Sequence, residues 1–168
     1  ITCRDWSSDV CSSDLVGRLI PVTCQHSAVV ANPATVVRWR RRAIEAAKQS
    51  DQAWVPGIGE AVGLADLLGG QVGGAGSGLW LFGDVSSGSR GILEALSGGA
   101  DGDSVGLIIG PEGGLSSTEV AMAVGAGCVG VRLGWSVLRV ETAAVALAAV
   151  TSAWLGRPGG PEVGQSPG

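Results

Sequence analysis

Apolar residues follow two alternating patterns between residues 79 and 155. Short continuous apolar runs, such as the one from Val105 to Ile109, are typical of strands that are covered on both faces. The stretches between and after these runs are predicted to be helices. The pattern predicts strands at 79–82, 105–109 and 128–133, and helices at 90–96, 118–124 and 141–155. This alternation is typical of an α/β fold with a mostly parallel sheet and helices on both faces.

Fewer elements are predicted before residue 79. Leu19-Ile20-Pro21-Val22 is a short apolar run that fits the end of a strand. Asn32-Pro33 supplies an N-cap followed by proline at the first helical position, so a helix is predicted at 33–50. A second helix is predicted at 60–68, and the glycine-rich stretch 69–78 is predicted to be a flexible loop.

Glycines cluster where the predicted strand ending at Ile109 runs into the next helix. The sequence there is Gly110-Pro111-Glu112-Gly113-Gly114-Leu115-Ser116-Ser117-Thr118-Glu119. Ser116 and Glu119 have the spacing of a capping box, which would fix the loop at its exit. Open α/β sheets bind ligands at the carboxyl ends of their strands, so this is a candidate binding loop. Glycine-rich turns are also common without a ligand, and this loop alone leaves both alternatives open.

A second loop of this kind follows the strand predicted at 128–133. It reads Leu133-Gly134-Trp135-Ser136-Val137-Leu138-Arg139-Val140-Glu141-Thr142-Ala143 and leads into the last predicted helix. Two such strand-end loops can face one crevice. Trp135 can stack on a base, but a tryptophan in such a loop is more often a packing anchor or a dimer contact. Glu141 can accept a proton, but stabilisation of the helix N-terminus through its dipole is the favoured role.

Together the two loops resemble the motif pair of the bacterial 16S ribosomal RNA uridine-N3 methyltransferases of the SPOUT superfamily. The usual pattern is G-P-E-G-G-[FL]-[ST]-x-x-E followed by L-G-x-R-[IV]-L-R-x-E-T-A, and both order and spacing agree here. The resemblance also covers Arg38-Trp39, the stretch 45–50 and Val55-Pro56, so it spans nearly everything from Gly17 to Leu155.

The resemblance implies a methyltransferase that uses S-adenosyl-L-methionine (SAM) to methylate N3 of a specific uridine in 16S ribosomal RNA. It further implies a C-terminal trefoil knot whose loops hold SAM, and a homodimer packed through the terminal helix, where 143–150 supplies apolar surface. Ribosomal RNA or the small ribosomal subunit would be the other partner. The implied cofactor-binding residues are Leu107, Ile109, Gly110, Pro111, Glu112, Gly113, Gly114, Leu133, Gly134, Val137, Leu138, Thr142 and Ala143.

Arg139 is the catalytic residue that the resemblance implies. A fixed guanidinium there would orient the uracil or stabilise the negative charge that develops when N3 loses its proton. Glu112 and Glu141 are the candidate proton acceptors. The chain departs from the family pattern where Trp135-Ser136 replaces the usual Pro-Arg and where Val140 replaces a common threonine.

Charge and composition change this picture little. The net charge of −4 over 168 residues does not indicate a polyanion-binding surface over the whole chain. Local basic patches can still bind RNA: Arg38, Arg41 and Arg42 on the first predicted helix are candidate phosphate contacts, and a solvated helix face explains them equally well. Apolar runs are too short for a membrane helix.

Cysteine and histidine usage indicates no metal site. Four cysteines without a CxxC pair, and a single histidine, do not match the familiar zinc spacings. A reduced, cytoplasmic protein is the simpler interpretation. His26 has no partner that the sequence reveals, and it is assigned no role.

The first fifteen residues do not fit the rest of the domain. The stretch 5–15 resembles the translation of a sequencing adapter, and it lacks a signal-peptide pattern. We therefore expect a non-native tail at 1–15, a partial methyltransferase domain at 16–155 and a Pro/Gly-rich mobile tail at 156–168. The RNA-binding β-barrel that begins this family is not found before Gly17, so we expect an N-terminally truncated chain of reduced activity. The alternative function is a non-catalytic α/β RNA-binding or dimerisation module.

Overall fold

Helices and strands alternate along the described part of the chain. The computed structural model describes residues 16–28, 33–49, 55–72, 78–86, 88–99 and 104–156. The strands are β1 (Arg18–Leu19), β2 (Val22–Thr23), β3 (Gly57–Ile58), β4 (Val62–Gly63), β5 (Leu79–Gly83), β6 (Arg90–Gly91), β7 (Val105–Ile108) and β8 (Val129–Arg132). The helices are α1 (Pro33–Gln49), α2 (Leu64–Gln71), α3 (Ile92–Gly99), α4 (Ser117–Gly125) and α5 (Val140–Leu155).

A four-stranded sheet has the order β6-β8-β5-β7, and every neighbouring pair in it is parallel. Leu81 in β5 lies opposite Leu107 on one side and Val129 on the other. Two more parallel pairs, β1 with β3 and β2 with β4, join the segments on either side of α1. The predicted α/β architecture with parallel strands is therefore confirmed.

Buried side chains lie on both faces of this sheet. Leu81 and Phe82 are consecutive in β5 and point to opposite faces, because side chains alternate along a strand. Leu81 packs in a cluster that includes residues of α1, α3 and α5. Phe82 packs in a second cluster, with residues of α2 and α4. β5 and β7 contain no polar side chain because helices cover both faces of the sheet there.

Several predicted boundaries before residue 100 are wrong because short parallel strands take part of the chain. The helix predicted at 60–68 begins at Leu64, since Val62 and Gly63 pair with Val22 and Thr23 as β4. That helix continues to Gln71, so the predicted loop at 69–78 begins later, and its residues 73–77 lie outside the described residues. The helix predicted at 90–96 begins at Ile92, because Arg90 and Gly91 form β6 against β8.

The apolar run at 19–22 is not one strand. Leu19 ends β1, Val22 begins β2, and Pro21 between them has no N–H to give to a strand partner. The carbonyl of Pro21 instead accepts the N–H of Val62 at 3.0 Å. The remaining predicted elements agree with the structure within one or two residues. Asn32, Ser50 and the expected tail at 1–15 lie outside the described residues. Of the tail expected at 156–168, Gly156 is described and caps α5, with its N–H donating to the carbonyl of Ser152 at 2.9 Å, and residues 157–168 lie outside the described residues.

Candidate active site

A cavity of about 750 Å³ opens at the carboxyl ends of β5, β7 and β8. Its walls are formed by the residues that follow these three strands and by the beginning of α5. This is the edge at which open parallel sheets bind ligands. The volume lies within the range of small-molecule and cofactor sites.

Both motif loops contribute to this one cavity. Most of the predicted cofactor-binding residues line it, namely Ile109, Gly110, Pro111, Glu112, Gly114, Leu133, Gly134, Val137, Leu138 and Ala143. The three predicted catalytic residues, Arg139, Glu112 and Glu141, line it as well.

Three of the predicted cofactor-binding residues are absent from the cavity lining. Leu107 lies within β7, opposite Leu81 of β5. Gly113 is exposed, and a Cβ built there would come within 3.0 Å of the Cβ of His26. Thr142 is exposed on α5. Some positions predicted from the sequence motifs therefore lie outside the cavity lining in the folded chain.

The glycine-rich loop after β7 is tightly wound. The N–H of Gly114 donates to the carbonyl of Pro111 at 2.8 Å, and Gly114 has a φ of +70°. This left-handed backbone favours glycine because a Cβ would approach the following carbonyl oxygen. A Cβ on Gly110 would lie 3.2 Å from the backbone nitrogen of Leu115, so the two ends of the loop are close together.

The capping box predicted at the exit of this loop is confirmed. Ser116 is the N-cap of α4: its side chain accepts the N–H of Glu119, and the carboxylate of Glu119 accepts the N–H of Ser116 at 2.8 Å. The same carboxylate accepts the N–H of Gln25 at 2.7 Å. Burial raises the pKa of Glu119, but hydrogen bonds from Ser116 and Gln25 and the nearby His26 outweigh it, so the pKa is lower than its ordinary value.

His26 packs against the glycine-rich loop, which sequence analysis did not reveal. Its Nδ1 lies 3.1 Å from the carbonyl oxygen of Gly114 and donates to it when that nitrogen carries the hydrogen. The structure thus supplies a partner for His26 that the sequence did not reveal. No local pattern could have found the contact, because its two residues are 88 positions apart.

The second motif loop holds an arginine at the start of α5. Arg139 is the N-cap residue of this helix, and its carbonyl accepts the N–H of Ala143 at 2.8 Å. Its backbone is therefore fixed by the helix, while its side chain is exposed at the cavity. Glu141 lies in the first turn of α5, where a carboxylate also suits the helix dipole.

Trp135 is not a packing anchor within this chain. Its side chain is 98% exposed, and the guanidinium carbon of Arg132 lies 5.6 Å from the centre of its ring. The interpretation of this tryptophan as an internal packing residue is wrong, because the turn after β8 directs the side chain into solvent.

A third loop of the cavity was missed. Gly83 ends β5, and together with Asp84 and Val85, which follow it, lines the cavity. The N–H of Asp84 donates to the carbonyl of Val131 at 2.9 Å, and its Oδ1 accepts the N–H of Ser86 at 3.0 Å. The sequence did contain a signal for this loop, because Asp84 lies just after a predicted parallel strand, where ligands bind.

The arginines of α1 lie away from this cavity. Arg38, Arg41 and Arg42 are exposed and do not line it. Arg40 is different, because its Nη2 donates to the carbonyl of Ile58 at 3.0 Å and so ties α1 to β3.

The described residues contain no group of three or more histidine, cysteine or acidic side chains that could hold a metal ion. Cys24 and Cys128 are buried free thiols. Burial and the neighbouring charge of Glu119 raise the pKa of Cys24 to about 11, so the thiolate is disfavoured. None of the described helices is long and apolar enough to cross a membrane.

These features define a parallel α/β domain with a ligand cavity at three strand ends, and comparison with known proteins identifies its family. The chain belongs to the RNA methyltransferase domain family, which matches residues 11–152. It is 38% identical over 124 residues to the ribosomal RNA small subunit methyltransferase E of Mycobacterium bovis and of Mycobacterium tuberculosis. The match covers 70% of this chain and 45% of each relative, so the chain spans less than half the length of these curated relatives.

Solved structures with the same fold include two SAM complexes. A ribosomal RNA small subunit methyltransferase E from Neisseria gonorrhoeae, bound to SAM, has 26% identity and a TM-score of 0.73, covering 87% of this chain and 59% of that one. A Legionella pneumophila protein described as a methyltransferase with bound SAM has 24% identity and the same TM-score of 0.73, covering 87% of this chain and 60% of that one. The second likeness concerns the fold alone.

Proposed function

We propose that this chain binds SAM in the strand-end cavity and carries the catalytic part of a methyltransferase that acts on N3 of a specific uridine in 16S ribosomal RNA. The observation that carries the proposal is that both motif loops, separated in sequence by α4 and β8, line one cavity. The family, its relatives and the SAM complexes of similar structures support the same chemistry.

The cavity suits SAM in size and in chemistry. Its volume of about 750 Å³ accommodates a ligand of drug size. Apolar lining residues such as Leu133, Val137 and Leu138 can contact the adenosine, and the glycine backbone of the other loop can approach the ligand closely. Carboxylates at Asp84, Glu112 and Glu141 can face the positive charges of SAM.

When bound, SAM supplies an electrophilic methyl group attached to a sulfonium. The protein has to present uracil N3 without its proton, in line with that methyl group. The guanidinium of Arg139 can attract the negative charge that develops on the uracil and hold the base in place. Glu112 or Glu141 can accept the proton, directly or through one water molecule. In that arrangement, N3 would form its new bond to the methyl carbon while the bond between that carbon and the sulfonium sulfur breaks.

The whole protein is further proposed to act on ribosomal RNA or the small ribosomal subunit as a homodimer, in the cytoplasm where ribosomes are assembled. The expected dimer surface at 143–150 is smaller than the sequence suggests, because Ala144 and Leu147 are buried in the chain's own core and Ala148 is buried as well. A trefoil knot around the cavity is proposed on the family resemblance, and the interior position of β8 supports it.

Calorimetric titration of SAM into the chain tests the cofactor part. Gly134 lines the cavity and has no atom within 4 Å of an added Cβ, so we expect Gly134→Val to fold and to bind SAM about tenfold or more weakly. Gly88→Val is the control, since Gly88 also has free space and lies outside the cavity lining. A wild-type chain that takes up no SAM would leave the non-catalytic RNA-binding or dimerisation module as the better description.

Nucleoside mass spectrometry of small-subunit RNA after incubation with protein and labelled SAM tests the reaction. A label on N3-methyluridine is the expected product. A label on another atom or another base would contradict the uridine-N3 assignment and leave the methyltransferase assignment standing.

A further inference from the structure

Trp135 has the largest exposed fraction of the large apolar side chains in the described residues, at 98%. Its two neighbours, Gly134 and Ser136, both line the cavity, whereas Trp135 does not. The indole therefore stands at the rim of the cavity and points away from its interior. Covering this ring with a partner would be favourable, because it would remove a large apolar surface from water.

The guanidinium of Arg132 lies over this ring. Its guanidinium carbon lies 5.6 Å from the ring centre, within the range of a cation–π interaction. Arg132 itself is half-buried and lines the cavity, so its backbone in β8 and its place in the wall limit its movement. The pair thus combines a flat aromatic surface with a positive charge beside it, as in sites that bind unpaired nucleotides.

We propose that Trp135, supported by Arg132, stacks on a nucleotide next to the one that enters the cavity. The inference rests on the proposed function, because it assumes that an RNA base reaches the cavity. The position at the rim assigns the ring to a flanking nucleotide, since the reacting base must lie inside. Stacking uses the flat face that every base has, so this contact positions the RNA without selecting one base.

RNA suits this rim better than a second copy of the chain does. A symmetric contact of the loop with itself would bring Arg132 and Arg139 close to the same residues of the second copy, and like charges repel. An RNA strand brings phosphates instead, which both arginines attract. The indole then covers its apolar face with a base.

Fluorescence anisotropy of a labelled RNA oligonucleotide that carries the target uridine, with SAM saturating, tests this contact. We expect Trp135→Ala to weaken RNA binding about tenfold, and Trp135→Phe to stay within about threefold of wild type because it keeps an aromatic ring. Leu93→Ala is a matched control, because Leu93 is also an exposed apolar side chain, at 60%, and lies on α3 outside the cavity lining. SAM affinity, measured alongside by calorimetry, should be unchanged in all three variants.

Oligonucleotides with one base removed at each position beside the target uridine complete the test. If Trp135 stacks on a flanking base, one abasic RNA should bind wild type and Trp135→Ala equally well. Equal binding of intact RNA by wild type and Trp135→Ala would overturn the inference while SAM binding still supported the proposed function. A change in molecular mass by light scattering, with RNA affinity unchanged, would make this rim an interface between copies and also overturn it. Failure of the wild type to bind SAM would instead remove the proposed function on which the inference rests.

Discussion

The carboxylate of Glu119 accepts the backbone N–H of Gln25 at 2.7 Å, although 94 positions separate the two residues. The same carboxylate caps α4 at the exit of the glycine-rich loop. One side chain therefore joins the turn after β2 to a wall of the cavity, and His26 in that turn contacts the carbonyl of Gly114 in the loop. Residues 16–28 thus support the site although none of them lines the cavity.

Replacement of Glu119 should show how much this connection stabilises the fold. In Glu119→Gln, one oxygen acceptor becomes an NH₂ group that faces an N–H donor, so we expect a loss of about 1–3 kcal/mol in the free energy of unfolding at neutral pH. Urea denaturation monitored by circular dichroism measures it. Glu94→Gln, an exposed glutamate in the first turn of α3, is the control and should change little.

The pH dependence of this loss follows from the lowered pKa of Glu119. A carboxyl group with a lower pKa in the folded state adds stability above its unfolded value, near 4.5, and this stability disappears as the pH falls through the folded value. The difference between wild type and Glu119→Gln should therefore shrink on acidification below pH 4.5. A difference that stays constant from neutral pH into this range would contradict the assignment.

Alanine substitutions at two glycines with positive φ can distinguish an effect on stability from an effect on cofactor binding. Gly114 (φ +70°) lies in the cavity wall, and Gly127 (φ +93°) follows the C-terminal end of α4. Alanine at either position should lower the free energy of unfolding by about 1–2 kcal/mol, because the left-handed backbone strains a Cβ. Only Gly114→Ala should also weaken SAM binding, which calorimetry measures. Equal SAM affinities in both variants would argue against a cofactor contact by this loop.

Arg139 should affect the reaction more than it affects cofactor binding. We expect Arg139→Ala to lower the rate of methyl transfer about 100-fold or more, because a donor aimed at developing charge is lost. SAM affinity should change less than about threefold, since binding precedes that charge. Arg139→Lys should recover part of the rate, as it keeps the charge but not the planar donor geometry. Single-turnover kinetics with labelled SAM separates the two effects, and a loss confined to SAM binding would exclude the catalytic role.

The arginines of α1 have different expected roles: Arg40 is structural, and Arg38, Arg41 and Arg42 are candidate RNA contacts. Arg40→Ala should lower the free energy of unfolding by about 1 kcal/mol, because its hydrogen bond to Ile58 is lost. The double variant Arg38→Ala/Arg41→Ala should leave stability unchanged and reduce the salt dependence of RNA binding by about two phosphate contacts. RNA affinity measured over a range of salt concentrations tests this. An unchanged salt dependence would identify these arginines as a solvated helix face.

Local sequence patterns could predict the long elements and the two motif loops, because their signals lie within a few residues of one another. The capping box at Ser116 and Glu119 and the apolar run of β7 are of this kind. β6 could not be predicted in this way: two residues, Arg90 and Gly91, carry no periodicity and are strand only because β8 lies beside them. The early start predicted for α2 has the same cause.

Part of the site depends on contacts that no local pattern contains. His26 contacts Gly114 although 88 positions separate them in sequence, and Trp135 does not have the predicted packing role because the turn after β8 directs it into solvent. Asp84 was within reach of sequence reasoning, since it directly follows β5, as Gly110 closely follows β7.

The position of β8 between β6 and β5 affects how the protein folds during its synthesis. Within the described residues, β6 pairs with β8 alone, and β8 ends at Arg132, late in the chain. Until β8 has been synthesised and has left the ribosome, β6 therefore has no neighbouring strand in this sheet. Such late, long-range pairing makes folding slow. Until then the nascent chain exposes apolar strands, and protection by a chaperone would matter most in that interval.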